Sequence, residues 1–221
     1  MIQMFDVYKV YPNKHSALTA INLHINKGDF TFLTGQSGAG KTTMINLIFC
    51  AERATKGQIV VKGINLGKIK KSRIPYLRRD IGVVFQDFKL LNSRTVFENV
   101  VFALEVTGAR RAEIKRKAWQ VLKLVGLQNR LDATPLELSG GEQQRIAIAR
   151  AIINDPTILL ADEHTGNLDS EITRDIMELF KNINNRGTTV VIATHNNILA
   201  QQYATRHLTL ERGRIINPEE Q

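Results

Sequence analysis

The chain has 221 residues, 43% hydrophobic and 23% charged, with a formal net charge of +9. That length supports one sizeable core with room for a subdomain and excludes two full α/β domains, while the composition excludes a disordered or fibrous chain. No stretch approaches the roughly 18 apolar residues of a membrane helix, "MIQMFDVYKVYPNK" lacks a signal-peptide core, and a lone cysteine, Cys50, fits a reducing compartment.

Along the chain, apolar runs predict strands at 29–35, 58–63, 80–86, 157–163 and 188–195. They are continuous rather than alternating, as in parallel strands covered on both faces. Helical patterns occupy 40–53, 112–126, 140–155 and 170–185, and the alternation with strands predicts an α/β fold. From about 90 to 155 helical patterns follow one another without a strand, which reads as a helical subdomain inserted between two core strands. Two basic runs stand out. Lys68, Lys70, Lys71, Arg73, Arg78 and Arg79 form the first, and Arg110, Arg111, Lys115, Arg116 and Lys117 the second. Each is either a solvated helix face or an attraction for nucleic acid, anionic lipid or nucleotide, and neither interleaves enough aromatics for base stacking.

"GQSGAGKT" at 35–42 satisfies G-x-x-x-x-G-K-[ST] after a strand and before a helix. Its glycines let successive N–H groups curl towards phosphate oxygens, and the helix dipole assists. Lys41 supplies a charge for the β- and γ-phosphates, and the Thr42 hydroxyl is a ligand for Mg²⁺. Asp162 ends an apolar strand, where it can hold Mg²⁺ directly or through water. Glu163, the next residue, is a candidate general base. A second helix start, "LSGGEQQR" at 138–145, offers a hydroxyl from Ser139 and N–H groups from Gly140 and Gly141 to an anion. One nucleotide bound by both helix starts is simplest if two chains face each other.

With these motifs the sequence resembles the ATP-binding-cassette (ABC) ATPases over nearly its whole length. The order is the family's: phosphate loop, "VFQ" with Gln86, "LSGGEQ", "ILLADE", "GNLD" ending at Asp169, and "ATH" with His195. The resemblance implies one domain over 1–221: a mostly parallel P-loop core at about 1–88 and 156–221, an N-terminal antiparallel β portion, and a helical subdomain at about 89–155. It implies ATP and Mg²⁺ as ligands. Tyr11 would stack on adenine; Gly35, Ser37, Gly38, Ala39, Gly40, Lys41, Thr42 and Thr43 would hold the phosphates. Thr42, Gln86 and Asp162 would meet the metal, Glu163 would polarise the water, and Gln86 and His195 would sense the γ-phosphate. Ser139, Gly140, Gly141 and Asp169 would act in trans, in a head-to-tail dimer closed around two ATPs.

Relatives that act on DNA carry coiled coils and those on ribosomes carry two cassettes, so a single cassette with a separate membrane subunit is expected, and no nucleic acid. Phe85, Phe88, Leu90 and Leu91 beside Gln86 would dock that subunit, although core packing explains them equally well. Within the family the wording is most similar to the bacterial cell-division cassettes, with lipoprotein-release and macrolide-efflux cassettes the nearest alternatives. The division branch implies an integral partner of the FtsX type, coupling to cell-wall hydrolases, and a place on the inner face of the cell membrane. The basic runs would face its anionic lipid. The family usually has proline where this chain has His164; proline fixes φ and carries no acid–base chemistry, so the histidine is read as a matter of turn geometry.

Overall fold

A computed structural model describes residues 1–162 and 169–216. In chain order the elements are β1 (Ile2–Val10), β2 (Ser16–Ile25), β3 (Phe30–Thr34), α1 (Lys41–Ile48), β4 (Lys56–Val61), β5 (Ile64–Asn65), α2 (Ile74–Arg79) and β6 (Ile81–Val84). There follow α3 (Val96–Val106), α4 (Arg111–Leu124), α5 (Gly140–Ile152), β7 (Ile158–Asp162), α6 (Ser170–Asn185), β8 (Thr189–Thr194), α7 (Asn197–Tyr203), β9 (Arg206–Glu211) and β10 (Arg214–Ile215).

Two sheets result. The first is antiparallel, in the order β2-β1-β4-β5; the second runs β10-β9-β3-β8-β7-β6 and is parallel apart from β10. The continuous apolar strands are the inner parallel ones: every residue of β3, β7 and β8 is buried. Because successive side chains point to opposite faces, neighbours divide between two cores. Phe32, Leu159, Val190 and Ile192 join Met177 and Phe180 beneath the helices on one face. Leu33, Leu160, Val191 and Ala193 join Ile45 and Leu47 of α1 and the inner residues of the antiparallel sheet on the other. The layer sequence is therefore antiparallel sheet, α1, parallel sheet, helices.

Between β6 and β7 the chain runs only through helices and turns. The Asn99 amide, fully buried, ties the approach to α3 by accepting from Leu91 N–H at 2.8 Å and donating to the carbonyls of Leu91, Arg94 and Thr95. Helix α1 stops short of the sequence reading at 53, since Cys50 turns left-handed at φ 57° and the N–H groups of Ala51 and Glu52 return to the Asn46 carbonyl. No helix among the described residues is long and apolar enough to cross a membrane.

Candidate nucleotide-binding site

The parallel strands end nearly level. Thr34 of β3 is the register partner of Thr194 of β8, Ala193 of β8 that of Asp162 of β7, and Ala161 of β7 that of Val84 of β6. With about 4.8 Å between strands, four consecutive chain exits share one edge. These exits lead to the glycine loop after Thr34, to His195 after Thr194, to Gln86 two residues past Val84, and to Asp162 itself. This is the carboxyl edge where α/β sheets gather ligands.

The loop at 35–40 owes its path to its glycines. Gly40 caps α1 at φ 108°, and a Cβ there would lie 2.6 Å from the Ala17 carbonyl oxygen. Lys41, only 4% exposed, folds back and donates from Nζ to the carbonyls of Gly35 (2.8 Å) and Gln36 (3.1 Å). Ser37 and Gly38 are exposed, Ala39 is buried, and Thr42 turns outward in the first turn of α1 while Thr43 turns in. A pocket of about 500 Å³ lies between residues 35–39 on one side and His195 and Arg212 on the other. Asp162 is buried at the strand end, and His195 and Gln86 are exposed. Thr42, Asp162 and Gln86 carry hydroxyl, carboxylate and amide oxygens, the donor type that Mg²⁺ takes. Glu163 and His164 lie outside the described residues.

Tyr11 follows β1, half-buried, with its hydroxyl 3.3 Å from Thr43 Oγ1. Ser139 caps α5 in a closed box: its hydroxyl and N–H both donate to Glu142 Oε2 at 2.9 Å, and Glu142 N–H donates back to Ser139 Oγ. The serine hydroxyl offered to an anion in the sequence reading is thus already engaged within its own chain. Gly140 is exposed, while Gly141 is buried with the Ile172 side chain 2.8 Å from where a Cβ would stand. Asp169 caps α6 through Oδ1, which accepts from Ile172 N–H at 2.8 Å.

Of the four apolar residues beside Gln86, all are half-buried: Phe88 and Leu90 pack against the core, and Phe85 meets Phe49 edge-on at 6.5 Å. The residue that shapes this loop was not foreseen. Arg150 of α5 donates to the carbonyls of Phe88 (2.5 Å) and Lys89 (2.6 Å), two non-glycine residues held at positive φ. Burial pushes its guanidinium below the usual arginine pKa. A hydrogen bond from a charged group is worth roughly 1.5–3 kcal/mol, and of these two the one to Lys89 is exposed and adds little. Arg150→Met, which keeps the aliphatic stem, is expected to destabilise the fold by about 2 kcal/mol. Urea unfolding checks this, and an unchanged midpoint would refute the bracing role.

A glycine loop at the carboxyl edge of a parallel sheet, with a second glycine-led helix start on the same chain, defines a P-loop nucleotide-binding cassette. Residues 18–166 match the family model described as ABC transporter, and the chain belongs to that family as one of its ATP-hydrolysing cassettes. Over 219 residues it is 50% identical to the cell division ATP-binding protein FtsE of Bacillus subtilis (strain 168), covering 99% of this chain and 96% of that protein. The FtsE of Mycobacterium tuberculosis (strain ATCC 25618 / H37Rv) is 48% identical over 221 residues, covering 100% and 96%. Among solved structures, a dimeric bacterial ABC transporter cassette superposes with a TM-score of 0.90 at 37% identity, covering 100% of this chain and 98% of that one. A dimeric post-hydrolysis cassette bound to ADP and Pi gives 0.90 at 36% identity with the same coverage.

Proposed function

We propose that this chain is the ATPase of a bacterial cell-division complex, in which two copies close on two ATPs and drive a membrane partner of the FtsX type that activates cell-wall hydrolases. The observation that carries this reading is half-identity to a division ATPase along essentially the entire chain. Residues 35–43 cradle the phosphates with Lys41, and Tyr11 carries the base. Thr42, Asp162 and Gln86 would hold Mg²⁺, which would supply neutralisation of the phosphate charge. Glu163 takes the proton of the attacking water while Gln86 and His195 flank the γ-phosphate. Ser139, Gly140, Gly141 and Asp169 serve the nucleotide of the opposite copy. The helical segment at about 89–155 moves as a subdomain against the core, and the loop from Phe85 to Leu91 passes that movement to the partner.

The chain works at the inner face of the membrane, held there by its partner and by anionic lipid. In support, Lys68, Lys70, Lys71, Arg73 and Arg79 are exposed with no ion pair among the described residues. The second basic run is less free, because Lys117 is paired with Asp155 at 2.8 Å.

Two measurements test the reading. Glu163→Gln is expected to lower phosphate release by about 10²-fold or more, the usual worth of a general base, whereas His164→Pro stays within a few-fold. A comparable collapse in both variants would return the histidine to the chemistry. Capture of the partner from native membranes should bring down a division subunit; recovery of a lipoprotein-release or drug-efflux subunit would overturn the cellular assignment.

A further inference from the structure

Tyr11 is held by a carboxylate that no motif includes. Its hydroxyl donates to Glu52 Oε1 at 2.9 Å, and Glu52 Oε2 pairs with Lys9 Nζ at 2.9 Å. The same ammonium donates to the Arg53 carbonyl at 3.1 Å and stands 4.9 Å from the centroid of the Tyr11 ring. These charges are sheltered, with side chains 14% exposed at Lys9 and 26% at Glu52. Partial burial alone would raise the Glu52 pKa, but hydrogen bonds from Lys9 and Tyr11, the Lys9 charge and the Asn46 side chain together bring it below the usual carboxylate range. The carboxylate is therefore ionised at neutral pH and stays an acceptor for the phenol.

The consequence is geometric. A tyrosine leading a turn at the end of a strand has two free side-chain torsions. Here its oxygen is tied to the segment just past α1, and a cation takes one face of the ring. That leaves at most one face for a planar ligand. The oxygen end of that ring also lies against Thr43, in the helix that begins at Lys41, so platform and phosphate loop share a fixed spacing.

We propose that Glu52, acting with Lys9, is a positioning residue for the nucleotide base: it clamps Tyr11 so that a single ring face is presented to a purine in register with the phosphate loop. This rests on the reading of Tyr11 as the base platform. The clamp acts on affinity for nucleotides and leaves binding of a bare polyphosphate untouched.

The test uses the full chain and two probes, ATP and inorganic tripolyphosphate, with Kd measured by calorimetry. Base–aromatic stacking is worth about 1–3 kcal/mol, so Tyr11→Ala should weaken ATP about 5- to 100-fold and leave tripolyphosphate unchanged. Glu52→Ala should weaken ATP about 3- to 10-fold, a part of that stacking, with tripolyphosphate again unchanged and KM rising more than kcat falls. Glu52→Gln, which keeps an acceptor for the phenol, should recover part of the loss. In a Tyr11→Phe background, where the phenol is gone, Glu52→Ala should add less than about 2-fold, because coupled residues are not additive. Full additivity, equal loss of both probes, or no loss of ATP affinity in Glu52→Ala would each overturn the clamp. If Tyr11→Ala itself leaves ATP affinity unchanged, the platform reading fails and the clamp with it. If Tyr11→Ala weakens ATP but Glu52→Ala does not, only the clamp fails.

Discussion

Lys41→Ala is expected to weaken ATP binding by about 10²-fold and to leave no measurable hydrolysis. Lys41 is 4% exposed and its ammonium makes two charge-assisted bonds, to the carbonyls of Gly35 and Gln36. It is sheltered from water yet sits at the open end of the sheet, where a phosphate can compete for it. Removing it takes away the loop's own cation and leaves two carbonyls facing the incoming anion. A loss of about 3 kcal/mol, at roughly 1.4 kcal/mol per decade, gives the stated factor. Lys41→Arg should rescue poorly, since the slot that holds one ammonium is too closed for a planar fork. Calorimetry with ATP and a phosphate-release assay read both effects, and an alanine variant within about threefold of the parent affinity would contradict the assigned role.

The glycines of the same loop should differ sharply from one another. Gly35 has φ 150°, and a Cβ there would stand 2.2 Å from the Leu210 carbonyl oxygen of β9, the strand beside β3. Backbone rather than a yielding side chain blocks it, so Gly35→Ala must displace a sheet strand. We expect a loss of about 3 kcal/mol, at the high end for single substitutions. Gly38, at φ 78°, meets nothing within 4 Å. Gly38→Ala should carry only the left-handed strain of about 1–2 kcal/mol. For a chain of this size each kcal/mol moves the melting point by about 2–4 °C. Gly35→Ala should therefore melt about 6–12 °C lower and Gly38→Ala about 2–8 °C lower. Equal shifts in the two variants would show that the contact with β9 does not set the requirement at Gly35.

How much of this could be read from the sequence depended on how local each signal is. The strands β3, β7 and β8 were legible because burial on both faces writes a continuous apolar run. The first two strands were missing from the individual strand readings, since β1 mixes exposed and buried residues and is bulged, with Asp6 at φ 47°. Strand β9 went unread because its outer residues alternate with polar ones, and α7 because it has only seven residues. The phosphate loop was fully legible, being eight consecutive residues with a fixed backbone task. The partners of Tyr11 were not: Thr43 and Glu52 stand 32 and 41 residues away. Arg150, 61 residues from the Lys89 carbonyl it holds, has no short-range signature either. A contact between a side chain and a distant carbonyl leaves no mark on spacing or composition.

Tyr11 leaves β1 of the antiparallel sheet, whereas Lys41 follows β3 of the parallel one, with α1 packed between the two sheets. A nucleotide resting its base on the first and its phosphates on the second would span the seam between the sheets, which the Tyr11–Thr43 contact and the bond from Thr19 N–H to the Gly213 carbonyl already bridge. Occupancy then acts as a tie-rod between the sheets. Ligand at a hundred times Kd adds about 2.7 kcal/mol to the folded state.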